Sequence, residues 1–283
     1  MANSKYEYVK SFEVEDEVFL PNLVVIRIDG RDFLRFSQVH NFEKPNDERA
    51  VNLMNSCAVA VSEEYPDIVF SYGYSDEYSF VFKKTSKFYH RRASKILSLI
   101  VSFFTSVYVT KWKEFFPQKE LRYSPSFHAR AICCASIEVL QAYLAWRQND
   151  CHINNQYETC RGMLVKCGKT ESEAHEILKG TQKQEKNELL FQQFGINYKK
   201  LPELFRQGSC VFKTEVISPP YHVKSMGLNY IINVLYWCLG DSTESAFHFQ
   251  NGPMIYFKSD MLWPTSIVAV YSALNEFLLL KLI

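Results

Sequence analysis

The sequence predicts an α+β fold with an appended helical lobe. Three observations carry this: a β-branched run that stops at Asp-Gly, two apolar runs joined by small and acidic residues, and a long helical pattern leading to a further strand. The run Leu23-Val24-Val25-Ile26-Arg27-Ile28 is short and β-branched, so it reads as a buried strand turning at Asp29-Gly30, with room for a short helix after the turn. Asn46-Asp47 offers a cap for an amphipathic helix to about Tyr65, with Leu53, Cys57, Ala60 and Val61 on its inner side. Ile68–Gly73 and Tyr78–Phe82 flank Tyr74-Ser75-Asp76-Glu77, a hairpin with acids at its tip. A long helix then runs from Ser86 to about Phe116, and a strand covers Ala129–Ala135.

The resulting order over residues 1–136, β-α-β-β-α-β, is that of a ferredoxin-like palm, which several polymerases and nucleotide cyclases share. Residues 137–217 form the helical lobe, with helices at 137–149, 154–167, 170–179 and 184–194. Thr170 and Glu173 make a capping box, and Gly180 and Gly195 act as stops. Residues 218–283 are a tail that starts near Pro219-Pro220.

The 283 residues are enough for a sizeable core, and 32 Lys and Arg against 31 Asp and Glu leave no global field for RNA, only local patches. The eight cysteines have no CxxC pair or framework spacing and read as free thiols. The first residues lack a secretory h-region, and neither apolar run, at 96–110 or 267–283, reads as a membrane span. The expected location is the cytoplasm or nucleus, away from the membrane.

Phosphoryl transfer needs hard oxygen ligands for two divalent cations, and two carboxylates on neighbouring strands supply them. Asp29 and Asp76 face each other if their strands are adjacent; Glu77 points to the other face or backs them up. Each acid alone also suits a turn or cap. What favours chemistry is the combination with Gly30-Arg31-Asp32-Phe33, whose turn and helix start offer amides to a polyphosphate. Arg92 and Lys95, three apart on one helix face, form either a phosphate clamp or a solvated basic face. Lys44 and Asp47 are loop contacts or a helix entry. His152 lies among polar groups suited to RNA or is structural. Cys151 beside it lacks a second ligand pair for zinc. Lys183, Lys186 and Asn187 make a polar helix face.

Together IRIDGRDFLRF, HNFEKPNDERA, YSDEYSFVF, RRASK, AWRQNDCHINNQY and GTQKQEKNELLFQQFGINY resemble eukaryotic tRNA-histidine guanylyltransferases, in order from about residue 5 to 215. The resemblance implies ATP-dependent adenylylation of the 5′ end of tRNA-His, then addition of guanosine from GTP in the 3′ to 5′ direction, by a homotetramer. It implies two Mg2+ ions on Asp29, the Gly30 carbonyl and Asp76, with Glu77 supporting them. The implied nucleotide contacts are Gly30, Arg31, Asp32, Phe33, Leu34, Lys44, Asp47, Ser75, Arg92 and Lys95, with Arg130 at a second nucleotide. His152, Asn155 and Lys186 are the implied tRNA and activation residues. Two departures stand out: His128 replaces a more usual acid, and Gly227–Ile283 is apolar where the family is polar, unrelated to its usual ending. Two other functions fit parts of the pattern. A nucleotidyl cyclase shares the acids without the lobe, and a catalytically impaired tRNA-binding or subunit-interaction isoform has an altered C-terminus.

Overall fold

The computed structural model describes residue 12 and residues 16–18, 20–213 and 229–233. In chain order these form β1 (Leu23–Gly30), α1 (Phe33–Val39), α2 (Glu48–Glu64), β2 (Ile68–Tyr74), β3 (Glu77–Phe82), α3 (Ala93–Phe115), β4 (Phe127–Cys134) and α4 (Ile137–Lys166). Then follow α5 (Glu171–Leu178), α6 (Lys183–Phe194), α7 (Glu203–Gln207), β5 (Ser209–Lys213) and β6 (Asn229–Asn233). The strands make one antiparallel sheet in the order β4-β1-β3-β2-β5-β6, so the fold is α+β.

Strand alternation sorts side chains onto two faces. Ile26 opposite Phe80 and Ile28 opposite Tyr78 face α2 and α3. There they meet Leu53, Cys57 and Val61, and the stripe Ile96, Ile100, Phe104, Tyr108 and Trp112, which recurs at every fourth position. Each such burial stabilises by about 1.5–3 kcal/mol. Ala60, expected on that inner side, is only half-buried, and Ala58 takes the core position. Leu23, Val25, Val81 and Tyr72 face the other way, against Leu140, Tyr143 and Leu144 of α4. By length and composition α3 could cross a membrane, but its stripe is spent on the sheet. Among the described residues the seven cysteines form no disulfide.

Three expected helices change. The long one does not begin at Ser86: Phe88–Arg91 is a separate 3₁₀ turn in which Tyr89, His90 and Arg91 have φ of 45°, 52° and 58°. Left-handed backbone costs about 1–2 kcal/mol per residue. Arg91 holds it in place, since its buried guanidinium donates to the carbonyls of Val18 at 2.6 Å, Asn22 at 2.6 Å and Ser86 at 3.2 Å. The helices at 137–149 and 154–167 are one, α4, capped by Ser136. Its polar middle does not break it because Asn155 bonds sideways, to Asn46 at 2.8 Å and Tyr198 at 3.1 Å, instead of to its own backbone.

The capping box at Thr170 and Glu173 forms, and Gly180 and Gly195 are left-handed. Beyond Leu144, α4 joins α5 and α6 around a small core of Cys160, Leu164, Ala174, Leu178, Leu190 and Tyr198. The chain then returns to the sheet, where β5 pairs with β2 and β6 with β5. Apart from β6, the tail from 218 onward lies outside the described residues.

Candidate active site

At one end of the sheet β1 stops at Gly30 beside the β2–β3 turn. The Gly30 N–H donates to the Asp76 carbonyl at 3.1 Å, while Asp29 lies opposite Glu77 on one side and His128 on the other. Ser75, at φ 51°, turns the hairpin and its hydroxyl donates to Asp76 Oδ1 at 2.9 Å. A Cβ on Gly30 would come within 2.3 Å of the Phe33 ring and 2.8 Å of Asp76 Oδ2, so only glycine lets this carboxylate approach β1. Burial pushes the Asp76 carboxyl up to about 6; Ser75 opposes the shift and the charge of Asp29 adds to it. Two acids with negative charge to spare fit a hard cation.

Among the described residues no three or more His, Cys, Asp and Glu side chains form a closed metal cage. Two carboxylates and a carbonyl leave positions for phosphate oxygens and water, as Mg2+ prefers.

Glu77 shares the face of Asp29 rather than pointing away, because directly paired residues project to one side. Both its oxygens are held: Arg147 Nη1 donates to Oε1 at 3.1 Å and Oε2 at 2.8 Å, and Arg27 Nε lies 3.7 Å from Oε2. Burial lifts its carboxyl, with Arg147 and Arg27 opposing. Arg147 also pairs with Asp150 and stacks 3.7 Å from the centre of the Trp146 ring. Sequence reading missed Arg147 and left Arg27 as a strand residue. The available signal was that Arg147 lies one turn from Tyr143 and Leu144 on a face expected to be apolar.

The other residues are more dispersed. Arg31, Asp32 and Leu34 are exposed at the start of α1, whose cap Asp32 is left-handed and makes no side-chain bond. Lys44 donates to Ser37 Oγ at 3.2 Å and lines a cleft of about 320 Å³ with Leu34, Pro45, Arg161 and Lys166. Asp47 is buried and already used, capping α2 through Arg49 N–H at 3.1 Å and receiving Glu43 N–H at 3.0 Å. Arg92 caps α3 and lies 3.9 Å from Asp16, with exposed Lys95 a turn onward. Arg130, exposed on β4, pairs across from Arg27 on the Asp29 face.

In the lobe, Asn155 is bound as above and Lys186 donates to the Thr181 carbonyl at 2.6 Å. His152 packs edge-on to Tyr198, and its Nε2 is buried without a hydrogen bond among the described residues. Burial lowers its pKa to about 4, helped by Lys183 and Arg206.

Such a site defines an α+β protein with two carboxylates brought together at the end of an antiparallel sheet. The family model described as tRNAHis guanylyltransferase matches residues 6–135, and that of the Thg1 C-terminal domain residues 138–233. The chain belongs to the tRNAHis guanylyltransferase family. It is 78% identical over 216 residues (76% of this chain) to tRNA(His) guanylyltransferase 1 of Arabidopsis thaliana, and 70% over 252 residues (89%) to tRNA(His) guanylyltransferase 2 of that plant. The chain spans only 38% and 44% of the length of these relatives. It is 43% identical to tRNA(His) guanylyltransferase of Saccharomyces cerevisiae, whose crystal structure matches with a TM-score of 0.70 over 74% of this chain and 93% of that one. A bacterial Thg1-like protein in complex with ATP shares the fold at 19% identity, TM-score 0.66, over 82% and 93% of the two chains. The match to residue 233 and the 252-residue alignment correct the expectation that likeness ends near Ile217 and that everything from Gly227 is unrelated.

Proposed function

We propose that this chain is the catalytic part of a guanylyltransferase that adds a guanosine to the 5′ end of tRNA-His. The observation that carries the reading is the packing of Asp76 Oδ2 against Gly30, the residue after Asp29, close enough that the Asp29 charge is felt at Asp76. The order β4-β1-β3-β2 within the sheet supports a ferredoxin-like polymerase or cyclase palm, and family membership supports the substrates. Asp29, the Gly30 carbonyl and Asp76 would hold two Mg2+ ions, which supply Lewis acidity toward phosphate oxygens.

The chain's own residues bind and orient. The backbone from Gly30 to Leu34, with Lys44, Ser75, Arg92 and Lys95, would hold a triphosphate, and Arg130 a second nucleotide. Asp47 would act through α2 and the 43–47 turn that its carboxylate ties down. His152, Asn155 and Lys186 would address tRNA through the lobe they stiffen.

Three transfers follow. The tRNA 5′ phosphate attacks ATP and releases pyrophosphate; the GTP 3′ hydroxyl attacks the adenylylated phosphate and releases AMP; and water attacks the α-phosphate of the added nucleotide's 5′ triphosphate, releasing pyrophosphate and leaving a 5′ monophosphate. Assembly as a homotetramer in the cytoplasm or nucleus belongs to the same reading and is tested by sedimentation and imaging.

The decisive experiment supplies labelled GTP and Mg2+ with tRNA-His bearing a 5′ monophosphate or a 5′ triphosphate. Label is expected to enter the first only with ATP and the second without it. An absolute ATP requirement for the triphosphorylated tRNA overturns the mechanism.

A further inference from the structure

Arg147 is 4% exposed, and its guanidinium spans from α4 to the acid beside Asp76. A buried arginine is stable only when its charge is matched, and here Nη1 is shared between both oxygens of Glu77 while Nη2 holds Asp150, under the half-exposed Trp146. Glu77 pairs directly across from Asp29, and such Cβ atoms lie about 4.5–5.5 Å apart. Released from Arg147, the Glu77 carboxylate could therefore swing to the Asp29 and Asp76 pair.

We propose that Arg147 is a positioning residue that holds Glu77 off the Asp29–Asp76 cation site, so that a divalent cation meets two carboxylates rather than three. The inference rests on the cation-site reading above. A third carboxylate tightens cation binding by adding negative charge and an oxygen ligand, and repels the polyphosphate that the cation should share. Tighter binding with slower turnover is thus the signature of losing this hold on Glu77. A merely structural loss weakens both.

The test measures Mn2+ binding to the nucleotide-free full chain by electron paramagnetic resonance, with thermal melting and guanosine addition measured alongside. Arg147→Met is expected to bind Mn2+ about 3- to 10-fold tighter while kcat falls. Arg147→Lys, which keeps the charge but has no second arm to hold Asp150 and fix its own position over Glu77, should tighten it partly, and Arg147→Met/Glu77→Gln should return to the wild-type affinity. Unchanged or weaker Mn2+ binding in Arg147→Met, or no reversal in the double variant, overturns the role of Arg147. If Arg147→Met does not fold, Arg147→Lys decides, and wild-type affinity there overturns it. Wild-type Mn2+ binding that is absent, or that survives Asp29→Asn/Asp76→Asn, instead sinks the cation site and the inference with it.

Discussion

Against α2 and α3 the sheet presents rings and branched aliphatics: Ile26, Ile28, Phe80 and Phe82 packed on Phe104, Tyr108 and Trp112. Against α4, at the end where β1 stops, it presents Arg27, Ser79 and Glu77, bonded to Tyr143 and Arg147. The first face is held by non-directional burial, which tolerates exchange of one apolar shape for another. The second is stable only while each partner is present, because an orphaned buried charge costs about 3–5 kcal/mol. The proposed chemistry belongs to the end of the sheet where the second face carries Arg27 and Glu77, and the first face supplies packing.

The contrast is broken if Asp76 proves structural. Asp76→Asn is expected to lower guanosine addition by about 10²- to 10³-fold or more while the melting temperature stays near wild type, since in the proposed site it removes the charge of a cation ligand and little packing. A collapse in melting temperature would make both faces scaffolding.

Trp112 tests the apolar face. It is fully buried among Phe36, His40, Phe42 and Phe116, and its indole N–H donates to the Lys119 carbonyl at 2.9 Å. Trp112→Ala should cost about 3–5 kcal/mol by urea unfolding and leave addition per folded molecule unaltered. Gly30→Ala joins the two faces. With Phe33 on one side and Asp76 on the other, it should cost about 1–3 kcal/mol and lose most activity.

The smallest effect lies further along α4. An unfolded chain protonates His152 near 6.5, the folded one only near about 4, so the unfolded state binds more protons between those values. The His152 contribution to stability is flat above 6.5 and falls as pH drops toward 4, by up to about 1.4 kcal/mol per pH unit, while Asp76, whose carboxyl is raised to about 6 in the fold, contributes with the opposite sign over the lower part of that range. His152→Gln should flatten that slope in a pH series of melts. A residual slope should remain from His40, whose pKa burial also lowers.

Several features were legible because they depend on neighbours in the chain. These include β1 running to Gly30, the hairpin carrying Ser75 and Asp76, the Asp47 cap and the Thr170 box. The hidden features depend on distant partners. Tyr89, His90 and Arg91 show no glycine or asparagine to announce left-handed backbone, and it takes the carbonyls of Val18 and Asn22 to explain them. Asn154 and Asn155 look like a helix break until Asn46 and Tyr198 are in place. Strand β5 is five residues long and means little without the open edge of β2. The acids of the site were readable from Asp29 and Asp76; the guanidinium that disciplines Glu77 was not, since arginine on a helix is usually solvated.

The unbroken α4 has one more consequence. Thirty residues at 1.5 Å each make a rod of about 45 Å, with Arg147 beside the acids and His152 and Asn155 one to two turns onward. With α4 unbroken between them, the lobe and the acids are spaced along one rod, and under the proposed function the helix works as a ruler: an RNA end bound by the lobe would reach the acids at that length or miss them.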